Sequence, residues 1–271
     1  MPELKKPRRQ NLKPPGKCAF CGEGSLSKEH LFADWLRDYF PRTNDDKHVE
    51  GIIEYLPNRK VSHITSQGHS GSKKIRRACE DCNSGWMSQL DNNVRNILPP
   101  IFKGYPGIID QSMQAALAAW FTKIAIVGDC DIRKKNSYIP QEERTEFTLR
   151  KSPSRDWKIM ISSYEGTSWK DLCIFQHGGK LDISPVGEPN GLRGEGGYVQ
   201  GTIIGIENMI AIVLATNFRD FEFKIGRNLS LFFERISPTQ GTIQWPTASV
   251  ISDKDTTALQ GIIREMTFFR K

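Results

Sequence analysis

The cysteine pattern constrains this chain more than any other feature. Cys18-x-x-Cys21 and Cys79-x-x-Cys82 form two CxxC pairs, while Cys130 and Cys173 stand alone. Four thiolates in two such pairs are the usual ligand set of a structural, tetrahedral zinc. A disulfide framework belongs to short secreted chains. This one has 271 residues, and no apolar segment follows its basic N-terminus. The pairs therefore read as zinc ligands, and the two isolated cysteines as small core residues.

Composition narrows the class. Hydrophobic residues make up 38% and aromatics 10%, ordinary values for a folded domain with a sizeable core. No apolar run approaches the roughly 20 residues needed to span a bilayer, so a cytosolic protein is expected, with no membrane partner. The net charge of +7 is concentrated at one end. Lys5, Lys6, Arg8, Arg9, Lys13 and Lys17 stand against Glu3 alone, among Pro2, Pro7, Pro14 and Pro15. Such a stretch builds neither helix nor core, so residues 1–16 read as a flexible basic arm with affinity for phosphates.

Residues 17–100 read as a cysteine module. Cys18 to Gly22 has the form of a zinc knuckle. Leu31, Trp35, Leu36 and Phe40 recur at helical spacing, and Pro41 ends that segment. Ile52 to Leu56 and Arg59 to Ile64 suggest two strands around Pro57-Asn58, and Gln67 to Lys74 is loop-like. A helix is expected from Cys82, carrying Trp86, Leu90 and Val94 inward, with Trp86 packing under the zinc. A second helix over Asp110–Val127, with Asp110 as its N-cap, carries Met113, Leu117, Trp120, Ile124 and Val127 on one stripe.

Past residue 150 the pattern turns to strands: Lys158–Tyr164, Leu172–Gln176, Tyr198–Ile206, Met209–Ala215, Leu229–Glu234 and Thr242–Gln244. Glycines over 191–197 punctuate them, and a helix after Ser252 closes the pattern. The expected fold class is α+β: a zinc-bound ββα module over 17–100, fused to a helix-plus-antiparallel-sheet domain over 101–271.

The residues that carry chemistry lie beside the zinc ligands. Glu29-His30 falls between the two pairs, and Asn83 follows Cys82 directly. Hydrolysis of a phosphodiester needs a base to take a proton from water and a divalent cation at the phosphate. Histidine, with an unperturbed pKa near 6.5, suits the first role. Carboxylate and amide oxygens suit a hard cation such as magnesium. On an extended strand Glu29 and His30 point to opposite faces, unless a bulge brings both forward. The basic cluster Lys73, Lys74, Arg76 and Arg77 is a candidate grip on a nucleic-acid backbone. His69 sits in a glycine-serine loop, and His48, His63 and His177 have no partners in sequence.

The order CxxC, acid-His, CxxC-Asn resembles the HNH, or His-Me finger, nucleases. The likeness is to their branch with a four-cysteine structural zinc, typified by phage endonuclease VII, and covers residues 17–98. The resemblance implies a DNA endonuclease with His30 as general base and Glu29 and Asn83 as ligands of a catalytic magnesium or manganese. Zinc at Cys18, Cys21, Cys79 and Cys82 would clamp the parts together. Glu29 stands where aspartate is commoner. The asparagine often found some five residues before the second CxxC is replaced in position by Lys74 nearby. A zinc-stabilised nucleic-acid- or protein-binding module without activity is the alternative. Oligomeric state is open.

Overall fold

The computed structural model describes residues 16–24, 26–41, 47–54, 60–67, 71, 73–131, 137–181, 197–219, 227–238 and 241–266. The basic arm, except for its last residue, His69 and the glycines at 191–196 fall outside these. The elements are mixed helix and sheet, in keeping with the α+β expectation. No described helix is long and apolar enough to cross a membrane.

β1 (Leu26–His30) runs antiparallel to β4 (Lys74–Cys79), and β2 (Lys47–Glu54) pairs with β3 (Lys60–Gln67) in a separate hairpin. A 3₁₀ turn over Asp34–Asp38 follows β1; it is shorter than the helix that the spacing predicts, but Trp35 and Leu36 are buried as expected. After β4 the chain winds through α1 (Glu80–Cys82), a π-helical turn over Asn83–Met87 and α2 (Ser88–Val94). Gly85 breaks the helical conformation between them. α3 (Leu98–Phe102) and the short strand β5 (Gly107–Ile109) lead to α4 (Gln111–Asp129), then α5 (Gln141–Arg150).

The remaining strands are β6 (Lys158–Tyr164), β7 (Leu172–Leu181), β8 (Gly197–Ile206) and β9 (Met209–Thr216). α6 (Arg227–Ser230), β10 (Glu234–Ser237), β11 (Ile243–Trp245), β12 (Val250–Ile251) and α7 (Asp253–Met266) complete the order. The main sheet runs β10-β6-β9-β8-β7 with antiparallel neighbours, and β12 adds in parallel to β6.

Residue alternation explains the layers. Along β9, Met209, Ala211, Val213 and Ala215 join one core, whereas Ile210, Ile212 and Leu214 join another. Successive strand side chains point to opposite faces, so this sheet is covered on both sides. One face meets α4; the other meets Leu259 and Ile263 of α7. The first core is continuous from Cys18 of the cysteine module to Trp245, crossing residue 100 without a break. Gln176 ties the layers together by donating from Nε2 to the carbonyl of Ala125 in α4 and to Thr202 of β8.

One local expectation needs correction, and two elements were not anticipated. The strand expected over Leu229–Glu234 lies later, as β10, after the turn of α6; Leu231 is exposed, and an apolar run this short does not distinguish the two periods. β4 was not anticipated beyond the loop-like stretch that ends at Lys74, and its pairing with β1 carries a bulge. Ser27 faces Ala78 but Glu29 faces Ile75, so β4 holds the extra residue and its period of two is lost. α5 has only Phe147 buried, so no apolar stripe announces it.

Candidate functional site

Each cysteine comes to the centre on a different piece of backbone. Cys18 and Cys21 lie on the knuckle turn, Cys79 ends β4 and Cys82 ends α1. Their four sulfurs lie within 4.8 Å of one another, and Cys21 Sγ is 3.6 Å from Cys79 Sγ. Four sulfurs about 2.3 Å from one zinc stand about 3.8 Å apart, so the donor set fits a tetrahedral ion. Backbone N–H groups of Phe20 and Cys79 point at Cys18 Sγ, and that of Cys82 at Cys79 Sγ. Burial pushes the Cys18 thiol up, but the backbone N–H groups of Cys21, Cys79 and Phe20 outweigh it and leave the group below the ordinary thiol range. Such donors favour thiolate, the form that binds metal.

The cluster is walled by α5. Gln141 Nε2 donates to the carbonyls of Ala19 and Phe20, and Thr145 Oγ1 also donates to that of Phe20. Trp86 packs edge-on against Phe20 and Phe147, with the Lys151 ammonium 4.6 Å from its ring centre. This agrees with the expectation that Trp86 packs rather than waits for a ligand.

His30 ends β1 directly opposite Lys74. Its Nε2 lies 3.2 Å from Asp34 Oδ1, but out of line for a hydrogen bond, and is itself buried. Arg37 pairs with the same Asp34. Burial holds the imidazole down to about 4, aided by the positive charges of Lys74, Arg37 and Lys123. His30 is thus neutral at physiological pH, with 19% of its side chain exposed.

Asn83 Nδ2 donates to Ser27 Oγ at 2.9 Å and to the carbonyl of Lys28 at 3.1 Å. The carboxamide therefore fastens the helical segment to β1. Its Oδ1 is not used by those bonds.

Glu29 turns the other way. It is 3% exposed, and its Oε1 accepts from Lys123 Nζ at 3.2 Å. Lys123 has no exposed surface and also donates to Asp91 Oδ1 at 2.7 Å. Trp120 Nε1 donates to that same oxygen, and Trp35 Nε1 to the Asp91 carbonyl. Burial works against the Lys123 charge, but the two carboxylates outweigh it and raise its pKa. Burial likewise raises Glu29, with Lys123 opposing. So placed, Glu29 is engaged by an ammonium through Oε1, while Asn83 spends its Nδ2, not its Oδ1, on β1.

Of the four cations ahead of Cys79, Lys74 is exposed and beside His30. Lys73 pairs with Asp131 at 3.0 Å, and Arg77 Nε donates to the carbonyl of Cys130. Both therefore dock β4 on the end of α4, and Arg76 is half-buried. Sequence reasoning missed Asp34, Arg37, Asp91 and Lys123. Lys123 had a signal: it is a lysine inside an apolar helical run, and a buried charge demands a partner. Compared with models of protein families, with curated proteins and with solved structures, the chain matches none.

Proposed function

We propose that this chain is an endonuclease of HNH type that hydrolyses phosphodiester bonds of DNA, with His30 as the general base and a structural zinc on Cys18, Cys21, Cys79 and Cys82. The observation that carries the reading is a neutral, part-exposed His30 at the end of β1, opposite Lys74, on the strand whose first residue, Leu26, pairs with Cys79 of the four-cysteine cluster. Nε2 is buried beside Asp34, which leaves Nδ1 as the nitrogen for the attacking water. A neutral imidazole accepts a proton from water as that water attacks phosphorus, while the exposed Lys74 and the nearby Arg37 attract the anionic phosphate. Asn83 keeps the helical segment against the strand on which His30 stands. The zinc would take no part in the chemistry; it would hold the knuckle turn ahead of β1, the end of β4 and α1 in one arrangement.

The test is nicking of supercoiled plasmid, with magnesium or manganese present, by wild type and His30→Ala. Zinc content is measured in both, so that a folding defect is not taken for lost chemistry. Cleavage by wild type and none by a zinc-loaded variant is the expected result. No cleavage of plasmid, branched DNA or RNA by zinc-loaded wild type would leave the inactive binding module as the better reading.

A further inference from the structure

Glu29 and Lys123 are buried, and the part-buried Asp91 completes a triad with them. Two carboxylates, one from β1 and one from α2, approach one ammonium at 3.2 and 2.7 Å. The ammonium belongs to α4 and has no exposed surface. Two carboxylates brought together in a buried site repel each other unless a cation stands between them. A divalent ion is one solution, and it is the one that the family resemblance implies for Glu29. A tethered lysine is another, and it needs no ion from solution.

We infer that Lys123 is a built-in cation that takes the place of a divalent ion at Glu29 and Asp91. Three features support this. The Nζ reaches both carboxylates, so a metal there would need the ammonium, on a side chain with no exposed surface, to leave. The indole N–H of Trp120 donates to Asp91 Oδ1 at 2.7 Å, so that oxygen already has two donors. Asp91 is further anchored because its own carbonyl accepts from Trp35. Glu29 is accordingly a positioning residue. Through Lys123 it locks α4 to the strand whose next residue is His30. The functional weight of this inference rests on the proposed hydrolytic site, but its test does not use activity.

That test is manganese binding, followed by electron paramagnetic resonance on zinc-loaded protein. Wild type, Glu29→Gln, Lys123→Met and the double variant are compared. The expected result is equal manganese affinity in wild type and Glu29→Gln. Lys123→Met should gain at least tenfold, and Glu29→Gln in the same chain should abolish the gain. A tenfold loss on Glu29→Gln alone would overturn the inference, as would a folded Lys123→Met with no gain. Should Lys123→Met not fold, the comparison of wild type with Glu29→Gln decides by itself. A protein that cleaves no nucleic acid leaves these results intact, so the two readings fail separately.

Discussion

Asn83 donates its Nδ2 to the hydroxyl of Ser27 at 2.9 Å, joining the helical segment after β4 to the strand that ends in His30. The same nitrogen donates to the Lys28 carbonyl, so one side chain bridges two backbone segments 55 residues apart. Asn83→Ala should therefore lower stability by about 1–3 kcal/mol, the usual cost of leaving such partners unsatisfied. Urea unfolding of zinc-loaded protein checks this. Asn83→Asp should fare no better, since a carboxylate cannot donate to either oxygen.

Lys123→Ala strands the buried Glu29 carboxylate beside the part-buried one of Asp91 and should cost about 3–5 kcal/mol. Lys123→Met combined with Glu29→Gln and Asp91→Asn should recover much of that loss, because no unpaired charge then remains. Equal losses in the single and triple variants would mean that packing, not charge, dominates at α4.

Zinc should be present at one ion per chain, and its removal by a chelator should loosen β1 and β4 together. Their amide protons should exchange faster, while the β8 and β9 amides stay protected. Cys79→Ser should reproduce the effect, because Cys79 joins the end of β4 to the knuckle.

The pH profile of cleavage should lack the limb that an ordinary histidine produces. Acid protonates the base and stops the reaction, so a lowered pKa moves that loss to lower pH. His30 stays neutral down to about 4, and kcat/KM should show no histidine titration between pH 5 and 7. Lys74→Met removes one of the charges that hold the imidazole down, so it should move the acid limb upward.

Gly197 opens β8 where an added Cβ would overlap the ring of Phe218. Gly197→Ala should destabilise by about 1–3 kcal/mol through overpacking, measured by thermal unfolding. Pairing it with Phe218→Leu should return part of the loss.

Much of this architecture is written locally. The run Lys158–Tyr164 is β6 to the residue, and Tyr198–Ile206 and Met209–Ala215 fall within one residue of β8 and β9 at each end. The N-cap at Asp110 is formed as expected, with its carboxylate accepting from the Met113 N–H. β4 was hidden because its bulge, spanning the consecutive Arg76 and Arg77, erases the alternation that marks a strand.

The sequence by itself determined the ligand set and the residue types at the site. Thiolate spacing, helical stripes and strand alternation depend on near neighbours, and one strand is enough to put Glu29 and His30 on opposite faces. Only the tertiary structure decided what each face meets. Glu29 finds an ammonium 94 residues away, while His30 finds Asp34 four residues on and Lys74 across the ladder. Burial then sets the chemistry, because a charge removed from water must be paired whereas an imidazole can stay neutral. No local pattern carries that pairing, since it exists only once α4 has packed against β1 and α2.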